Sequence, residues 1–133
     1  MSDERHVPGR SAFREAVWRV GEGRVALQVR VQDTRDGLVV TVLGDLGPHV
    51  GGIASAPPLT ACSFPGHRDG ELAAPIAEGL ALLSQRPVVV VAGVHVDDVS
   101  REEIAEVLSL APIVVDDVWE WVASCAEQHP CSR

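Results

Sequence analysis

The order of apolar and polar residues predicts strands in the first third of the chain. Residues 25–31, VALQVRV, alternate apolar and polar side chains, which is typical of a strand with one buried face. The preceding VWRV is joined to this segment by GEG, so the two are expected to pair as a hairpin. Residues 38–43, LVVTVL, are apolar at nearly every position and predict a strand covered on both faces.

Two further regions have the pattern of strands. The pieces IASA and LTACSF stand on either side of Pro57 and Pro58, and they predict two short strands flanking a loop. Residues 86–94, RPVVVVAGV, form a continuous apolar run, which predicts a buried central or parallel strand.

A helix is predicted from about Asp69 to Gln85. Its apolar residues recur at helical spacing, and they are Leu72, Ile76, Leu80 and Leu83. Pro75 costs roughly 3 kcal/mol in a helix interior, so either the regular helix begins near Leu72 or its first turn is kinked. Either arrangement predicts free N–H groups near the GHRDG segment.

The last third of the chain is predicted to be helical. Ser100 and Glu103 have the spacing of a capping box, and REEIAEVLSL follows. Pro112 breaks or kinks this run. A second amphipathic segment continues through Val115, Val118, Val122 and Cys125. Trp119 and Trp121 are not expected to face one core together, so one of them should cover a neighbouring element or a partner subunit.

These elements predict an α+β fold, a mostly antiparallel sheet with two to three helices packed on one face. We expect residues 1–12 to be a flexible lead-in, residues 13–127 a single α+β domain and residues 128–133 a tail.

Composition narrows the classes of partner. The net charge of -8 argues against nucleic acid and anionic membranes, both of which need a basic surface. All 11 basic residues are arginine, which excludes a lysine Schiff base or a P-loop lysine. The 3 cysteines form no CxxC pair, and an odd number suits a reducing compartment. No apolar run reaches membrane-spanning length. The first residues, MSDERHVPGRSA, are charged and polar and do not have the pattern of a signal peptide. The cytoplasm is therefore the expected compartment.

Three histidines follow turns or strand ends, and they are His49, His67 and His95. If the corresponding strand ends are neighbours, the three imidazoles converge, and imidazole binds metal ions, phosphate and flavin-like heterocycles. Alternatively, they are turn histidines satisfied by backbone groups. No HExxH or HxH motif supports a metal site, so the metal ligands stay unknown.

The GHRDGE segment is a candidate anion site. Gly66 permits an unusual backbone angle, and Arg68 offers a planar fork for phosphate or carboxylate. Asp69 either caps the following helix or orients His67. The alternative is a capped helix start with a solvated arginine.

Other candidate chemistry is weaker. Asp97 and Asp98 follow His95 and form either a divalent-cation site or a solvated loop before the capping box. Cys62 lies five residues before His67, but a cysteine inside a strand-like segment is expected to be a core residue. No GxSxG motif is present, so no catalytic residue is predicted.

Residues 64–104, from FPGHRDGEL to VVVVAGVHVDDVSREEI, together with the earlier PHVGGIA, resemble the LpdD-like prenylated flavin chaperone family. The resemblance covers roughly residues 24–122. Such proteins are small accessory subunits of UbiD-type hydroxyarylic acid decarboxylase systems. The resemblance implies a non-catalytic carrier that binds prenylated FMN, in its reduced form, and assists its storage or delivery to the decarboxylase. A UbiX-type flavin prenyltransferase would make this cargo.

The resemblance also implies roles for the candidate residues. His67, Arg68 and the N–H groups after Gly66 would hold the phosphate directly or through a divalent metal ion, and His49 and His95 would flank the flavin ring or share that cation. Asp69 and Asp97 would orient these groups. Pro75 departs from the expected helix former and puts the shape of the anion end in doubt. Trp18, Trp119 and Trp121 are the only large platforms for stacking.

Two alternatives remain at this point. The same His and Asp residues would suit a small metal-dependent, amidohydrolase-like hydrolase that activates water. The second alternative is a protein-interaction subunit in which the histidines have only a structural role. The apolar C-terminal helices favour a homodimer in each case.

Overall fold

The structure, a computed structural model, describes residues 14–128, with side chains as far as residue 124. The predicted lead-in over residues 1–12 and the tail from residue 129 lie outside the described residues, as does the side chain of Cys125.

Six strands form one sheet in the described part of the chain. Their bounds are β1 (Arg14–Val20), β2 (Leu27–Asp33), β3 (Leu38–Gly44), β4 (Pro48–Ala56), β5 (Thr60–Ser63) and β6 (Val88–Val94). β1 and β2 pair antiparallel around a short 3₁₀ turn at Gly23–Val25, which confirms the predicted hairpin.

Three helices follow the fifth strand, α1 (Gly70–Ser84), α2 (Arg101–Ser109) and α3 (Ala111–Gln128). Ser100 and Glu103 form the predicted capping box at the start of α2. Pro112 lies in the first turn of α3, where its missing N–H is harmless, so the predicted break separates α2 from α3. No helix in the described part of the chain is long and apolar enough to cross a membrane.

The strand order across the sheet is β1-β2-β3-β6-β4-β5. β6 pairs parallel with β3 and antiparallel with β4, while the other neighbouring pairs are antiparallel. α1 therefore carries the chain from the edge strand β5 back to the middle of the sheet. This arrangement confirms the predicted α+β fold and the central, parallel position of β6.

The core lies between the helices and one face of the sheet. Alternate residues of the central strands are fully buried against fully buried helical residues, and they include Val29, Val40, Val90, Ile76, Leu80 and Val118. The opposite face is open: Val39 on β3 and Val89 on β6 are 36% and 37% exposed. The prediction that β3 is covered on both faces is therefore wrong, because in the described residues the helices lie on one side only.

α1 begins at Gly70, which agrees with the predicted start near Asp69, and it includes Pro75 in its second turn. Two other details of the helices differ from prediction. Leu83 is exposed although it continues the helical spacing of the buried residues. Trp119 and Trp121 are both partly buried and pack against the one core, so the expectation that one of them must leave it is wrong.

Candidate functional site

The three predicted histidines lie around one cavity of about 420 Å³. His49 comes from the start of β4, His67 from the loop before α1, and His95 from the residue after β6. The ring centroid of His49 lies 4.8 Å from that of His67 and 5.7 Å from that of His95. The three imidazoles therefore converge as the sequence suggested.

Strand pairing explains this convergence. β4 and β6 run antiparallel, and Pro48 pairs with Val94, so the beginning of β4 and the end of β6 lie side by side at the same end of the sheet. The pairing is irregular between Pro48 and Gly52. Adjacent residues of a regular strand face opposite sides, whereas Gly51 and Gly52 both face the start of α1.

Glycines bring the backbone and side chains of the site into contact. A Cβ on Gly51 would overlap Oδ2 of Asp69, and one on Gly93 would overlap the carbonyl oxygen of His49. Gly66 has a φ of +83°, so the unusual backbone angle that the sequence suggested is present. The glycine pair in PHVGGIA was the signal for this close approach.

Asp69 lies at the centre of the histidine cluster. Its Oδ1 accepts a hydrogen bond from the backbone N–H of Val94 at 3.1 Å. Its Oδ2 lies 3.5 Å from Nε2 of His49 and 3.8 Å from Nδ1 of His67. Although Asp69 occupies the N-cap position of α1, its side chain makes no capping hydrogen bond. Two roles were predicted for Asp69, capping α1 or orienting His67. Its carboxylate lies beside His67 and does not cap the helix.

The first turn of α1 has its N–H groups satisfied within the protein. Ser63 Oγ, on β5, accepts from the N–H of Gly70 at 2.8 Å. The next three N–H groups, of Glu71, Leu72 and Ala73, donate to the carbonyl oxygens of Arg68 and Asp69. The predicted free N–H groups at this helix start are therefore absent, because strand β5 and the preceding turn supply acceptors.

Arg68 lies at the rim of the cavity with its guanidinium paired. Its Nε and one terminal nitrogen each donate to the Glu71 carboxylate at 3.1 Å. The hydrogen bonds to Glu71 and its negative charge raise the pKa of Arg68. The guanidinium that the sequence offered for an anion therefore binds the carboxylate of Glu71 in the first turn of α1.

His95 and Asp97 form a pair on the outer side of the site. Nε2 of His95 lies 3.0 Å from Oδ1 of Asp97. The Asp97 side chain is 91% exposed, and Asp97 is not among the residues that line the cavity. Asp97 and Asp98 are also absent from the metal-ligand grouping found among the described residues, so that grouping does not include the predicted cation site.

The opposite wall of the cavity is apolar, and the sequence did not predict it. It is formed mainly by β6, the following loop and α2, through Val94, Val96, Val99, Ile104, Val107 and Leu108. Val94, Val96, Val99 and Ile104 lie within the VVVVAGVHVDDVSREEI motif. The apolar spacing in REEIAEVLSL was a further signal for an apolar face. The cavity therefore has a histidine wall and an apolar wall.

α2 is attached to the rest of the molecule by Arg24. The guanidinium donates to the Glu103 carboxylate, at 2.7 Å from Nε, and to the carbonyl oxygen of Asp97. The same carboxylate accepts from the N–H of Ser100. The Ser100 N–H, and next the hydrogen bond from Arg24, lower the pKa of Glu103.

Other candidates lie away from the cavity. Cys62, predicted to be a core residue, is exposed on the edge strand β5. Trp18, Trp119 and Trp121 pack at the margin of the core and do not line the cavity. The cavity therefore has no tryptophan surface on which a ring would stack.

The fold and the site together define a small α+β domain with a cavity at one end of the sheet, where histidines face an apolar helix. Residues 21–123 match the family described as the prenylated flavin chaperone LpdD-like domain, and the chain belongs to this family. The role of the family is that of a chaperone and not of an enzyme, so the hydrolase alternative is not favoured.

The other comparisons concern single proteins. A search of curated proteins found no match. Among solved structures, the fold is similar to a chain in "Crystal Structure of a Novel Chaperone Complex for Yeast 20S Proteasome Assembly". The TM-score is 0.55 at 9% identity, over 86% of this chain and 98% of that one. At this identity the likeness concerns the fold alone.

Proposed function

We propose that this protein binds prenylated FMN in its reduced form in the cavity between the histidines and α2, and assists its storage or delivery to a UbiD-type decarboxylase. A UbiX-type flavin prenyltransferase supplies the cargo. The observation that carries the proposal is the two-sided cavity: polar groups converge on one wall and aliphatic side chains form the other.

The cavity suits the chemistry of this ligand. Its volume of about 420 Å³ is within the range of small-molecule sites, roughly 300–1,000 Å³. The aliphatic wall of α2 and β6 accommodates the prenyl-modified ring, and the histidine wall accommodates the phosphate. A phosphate group on a chain of charge -8 needs local hydrogen-bond donors, and imidazole rings offer N–H groups for this purpose.

In this proposal the cargo contacts the cavity-lining residues of the two motifs. His49, Gly66, His67 and Asp69 lie at the phosphate end with Arg68 at the rim, and His95 flanks the ring with Asp97 orienting it. Because Glu71 accepts from Nε and one terminal nitrogen of Arg68, its negative charge offsets the positive charge that Arg68 offers the cargo.

The test is native mass spectrometry of protein co-expressed anaerobically with a flavin prenyltransferase. Leu108→Glu places a carboxylate on the apolar wall, while Leu82→Glu introduces the same change at an exposed position of α1 outside the cavity. Wild type and Leu82→Glu are expected to carry the mass of prenylated FMN, and Leu108→Glu to be empty. Wild-type protein that carries no prenylated FMN would contradict the carrier role and favour an interaction subunit.

Delivery is tested separately from binding. Loaded protein, freed of excess flavin, is mixed anaerobically with an apo UbiD-type decarboxylase, and the recovery of decarboxylation is followed in time. Transfer predicts faster activation than an equal concentration of free prenylated FMN gives, together with loss of the flavin mass from the carrier. Equal rates would leave storage, and not delivery, as the role.

We also propose that the protein acts in the cytoplasm as a homodimer. The support for a dimer lies on the open face of the sheet, where Val17, Val39 and Val89 are exposed. Leu82, Leu83 and Ile113 are also exposed on the helices. We choose the sheet because Val39 and Val89 lie directly opposite each other on neighbouring strands and form one apolar patch. In a two-fold symmetric dimer, the open sheet face of one copy would pack against the same face of the other copy.

A further inference from the structure

We propose that His49, His67 and Asp69 bind a divalent transition-metal ion whose open coordination positions face the cavity and take an anionic oxygen. Nε2 of His49, a ring nitrogen of His67 and Oδ2 of Asp69 are potential ligand atoms, one from each residue. The ligand atoms of the three residues all lie within 4.8 Å of one another.

The spacing is that of ligands around one ion. Metal bonds to histidine nitrogen and carboxylate oxygen are about 2.0–2.2 Å long, so tetrahedral ligand atoms are roughly 3.4 Å apart. Oδ2 of Asp69 is already 3.5 Å from Nε2 of His49 and 3.8 Å from Nδ1 of His67. Coordination would require the separations between ligand atoms, all within 4.8 Å, to shorten to this spacing.

One buried atom of the cluster makes no hydrogen bond in the structure, although Oδ2 of Asp69 lies 3.5 Å from it. Nε2 of His49 is buried and has no hydrogen-bond partner. Leaving a buried polar atom without a hydrogen bond is unfavourable. A metal ion at the centre of the cluster would remove this cost, because the nitrogen lone pair then has an acceptor.

The carboxylate is held in the orientation that a ligand needs. The N–H of Val94 donates to Oδ1 of Asp69, which leaves Oδ2 directed at the imidazoles. The absence of a side chain at Gly51 leaves room for Oδ2 in this position. Such outer contacts fix ligand orientation in known metal sites.

The ligand set selects the type of ion and its use. Two imidazoles and one carboxylate suit zinc and neighbouring first-row metals, whereas Ca²⁺ and Mg²⁺ prefer oxygen ligands. Three protein ligands leave positions for an exogenous oxygen. In a chain without lysine, and with Arg68 paired to Glu71, the ion supplies the positive charge that an anion requires. Only the identity of that anion, the flavin phosphate, rests on the proposed function.

The first experiment uses the full chain without an affinity tag, stripped with EDTA and titrated with Zn²⁺ by calorimetry. Co²⁺ absorption reports the coordination number. His67→Ala removes a ligand whose side chain is 35% exposed, so the fold should survive. His95→Ala removes an imidazole from the same cavity but from outside the cluster. Circular dichroism checks the fold of both variants.

The expected result is one Zn²⁺ per chain, with affinity reduced on the order of 100-fold or more in His67→Ala. Loss of an outer contact alone typically costs about 10–100-fold, so loss of a ligand should be at least as severe. His95→Ala is expected to keep the metal. Absence of binding, unchanged affinity in His67→Ala, or an equal loss in His95→Ala overturns the assignment.

A second titration, with FMN in the presence of Zn²⁺ or EDTA, separates this inference from the proposed function. Tighter FMN binding with Zn²⁺ supports a metal that holds the phosphate. FMN binding that is equal in EDTA overturns the metal's role and leaves the carrier function standing. Metal binding without any binding of FMN or prenylated FMN leaves the metal site standing and removes the flavin function.

Discussion

Single glycines decide how closely the parts of the site approach. Gly51→Ala places a Cβ against the carboxylate of Asp69. Rotation of Asp69 relieves this clash but leaves the N–H of Val94 without its acceptor, so the free energy of unfolding should fall by about 1–3 kcal/mol. Gly93→Ala should cost more, because its Cβ meets the backbone carbonyl of His49 and only a shift of the strands relieves it.

Denaturant midpoints of the two variants check this order. Gly66→Ala is the control: its Cβ meets no atom within 4 Å, and only the positive φ opposes it, at about 1–2 kcal/mol. A Gly93→Ala protein as stable as Gly66→Ala would show that the strands at this edge are not held together as described.

A buried carboxylate joins the α1–β6 connection to β2. Asp33 has a side chain that is 6% exposed, and Nη1 of Arg86 donates to its Oδ1 at 2.9 Å. Arg86→Ala removes a major partner of a buried charge, so it should lower the free energy of unfolding by roughly 3 kcal/mol. Arg30→Ala removes an exposed pair with Glu15 and should cost less than about 1 kcal/mol. Urea denaturation of both variants tests the contrast, and equal losses would contradict it.

At the scale of elements, the attachment of α2 is expected to depend on pH. The pKa of Glu103 is lowered in the folded protein, chiefly by the Ser100 N–H and then by Arg24. A lowered carboxyl pKa contributes stability that is present above the ordinary value of 4.5 and is lost as the pH falls through the folded value. Glu103→Gln should therefore be less stable than wild type at pH 7, and the difference should shrink below about pH 4.5.

Thermal unfolding of wild type and Glu103→Gln between pH 7 and pH 3.5 measures this difference. Glu102→Gln is a suitable control, because Glu102 is also in the first turn of α2 but is not part of the capping box. A difference between wild type and Glu103→Gln that stays constant over the whole range would show that the carboxylate does not titrate with folding.

Local elements could be predicted because their signals are local. The hairpin, the capping box and the stop at Pro112 each depend on residues close in sequence. The insertion of β6 between β3 and β4 depends on pairing between distant segments, and apolarity indicated only that β6 is central or parallel. Nor does an apolar run show whether one face or both are covered, which is why the prediction for β3 was wrong.

The candidate site was predictable to a similar extent. The residues before and after strand ends indicated that His49, His67 and His95 converge, since strand ends of one sheet edge are neighbours. The apolar wall could not be assigned, because it requires α2, which contacts α1, α3 and the 3₁₀ turn, to line the same cavity as the end of β6. The satisfied N–H groups of α1 depend on Ser63, whose contact with Gly70 no local pattern predicts.

At the scale of the whole molecule, the sheet has one face packed against helices and one face open in the described part of the chain. Val39 and Val89 pair directly across β3 and β6 on the open face, with Ile53 and Val91 partly buried near them. Towards the hairpin edge this face becomes charged, with Arg30 and Glu15 paired there. An apolar centre with a polar margin is typical of a protein interface.

The proposed homodimer is tested by Val89→Glu, which puts a charge in the centre of the open face of each copy. A two-fold dimer would then bury two unpaired carboxylates close together, so its Kd should rise on the order of 100-fold, or about 3 kcal/mol. Leu46→Glu is the control, because Leu46 is 71% exposed in the β3–β4 connection. Sedimentation equilibrium measures both. A Val89→Glu protein that keeps the wild-type association state but fails to activate the decarboxylase would assign the open face to that partner instead.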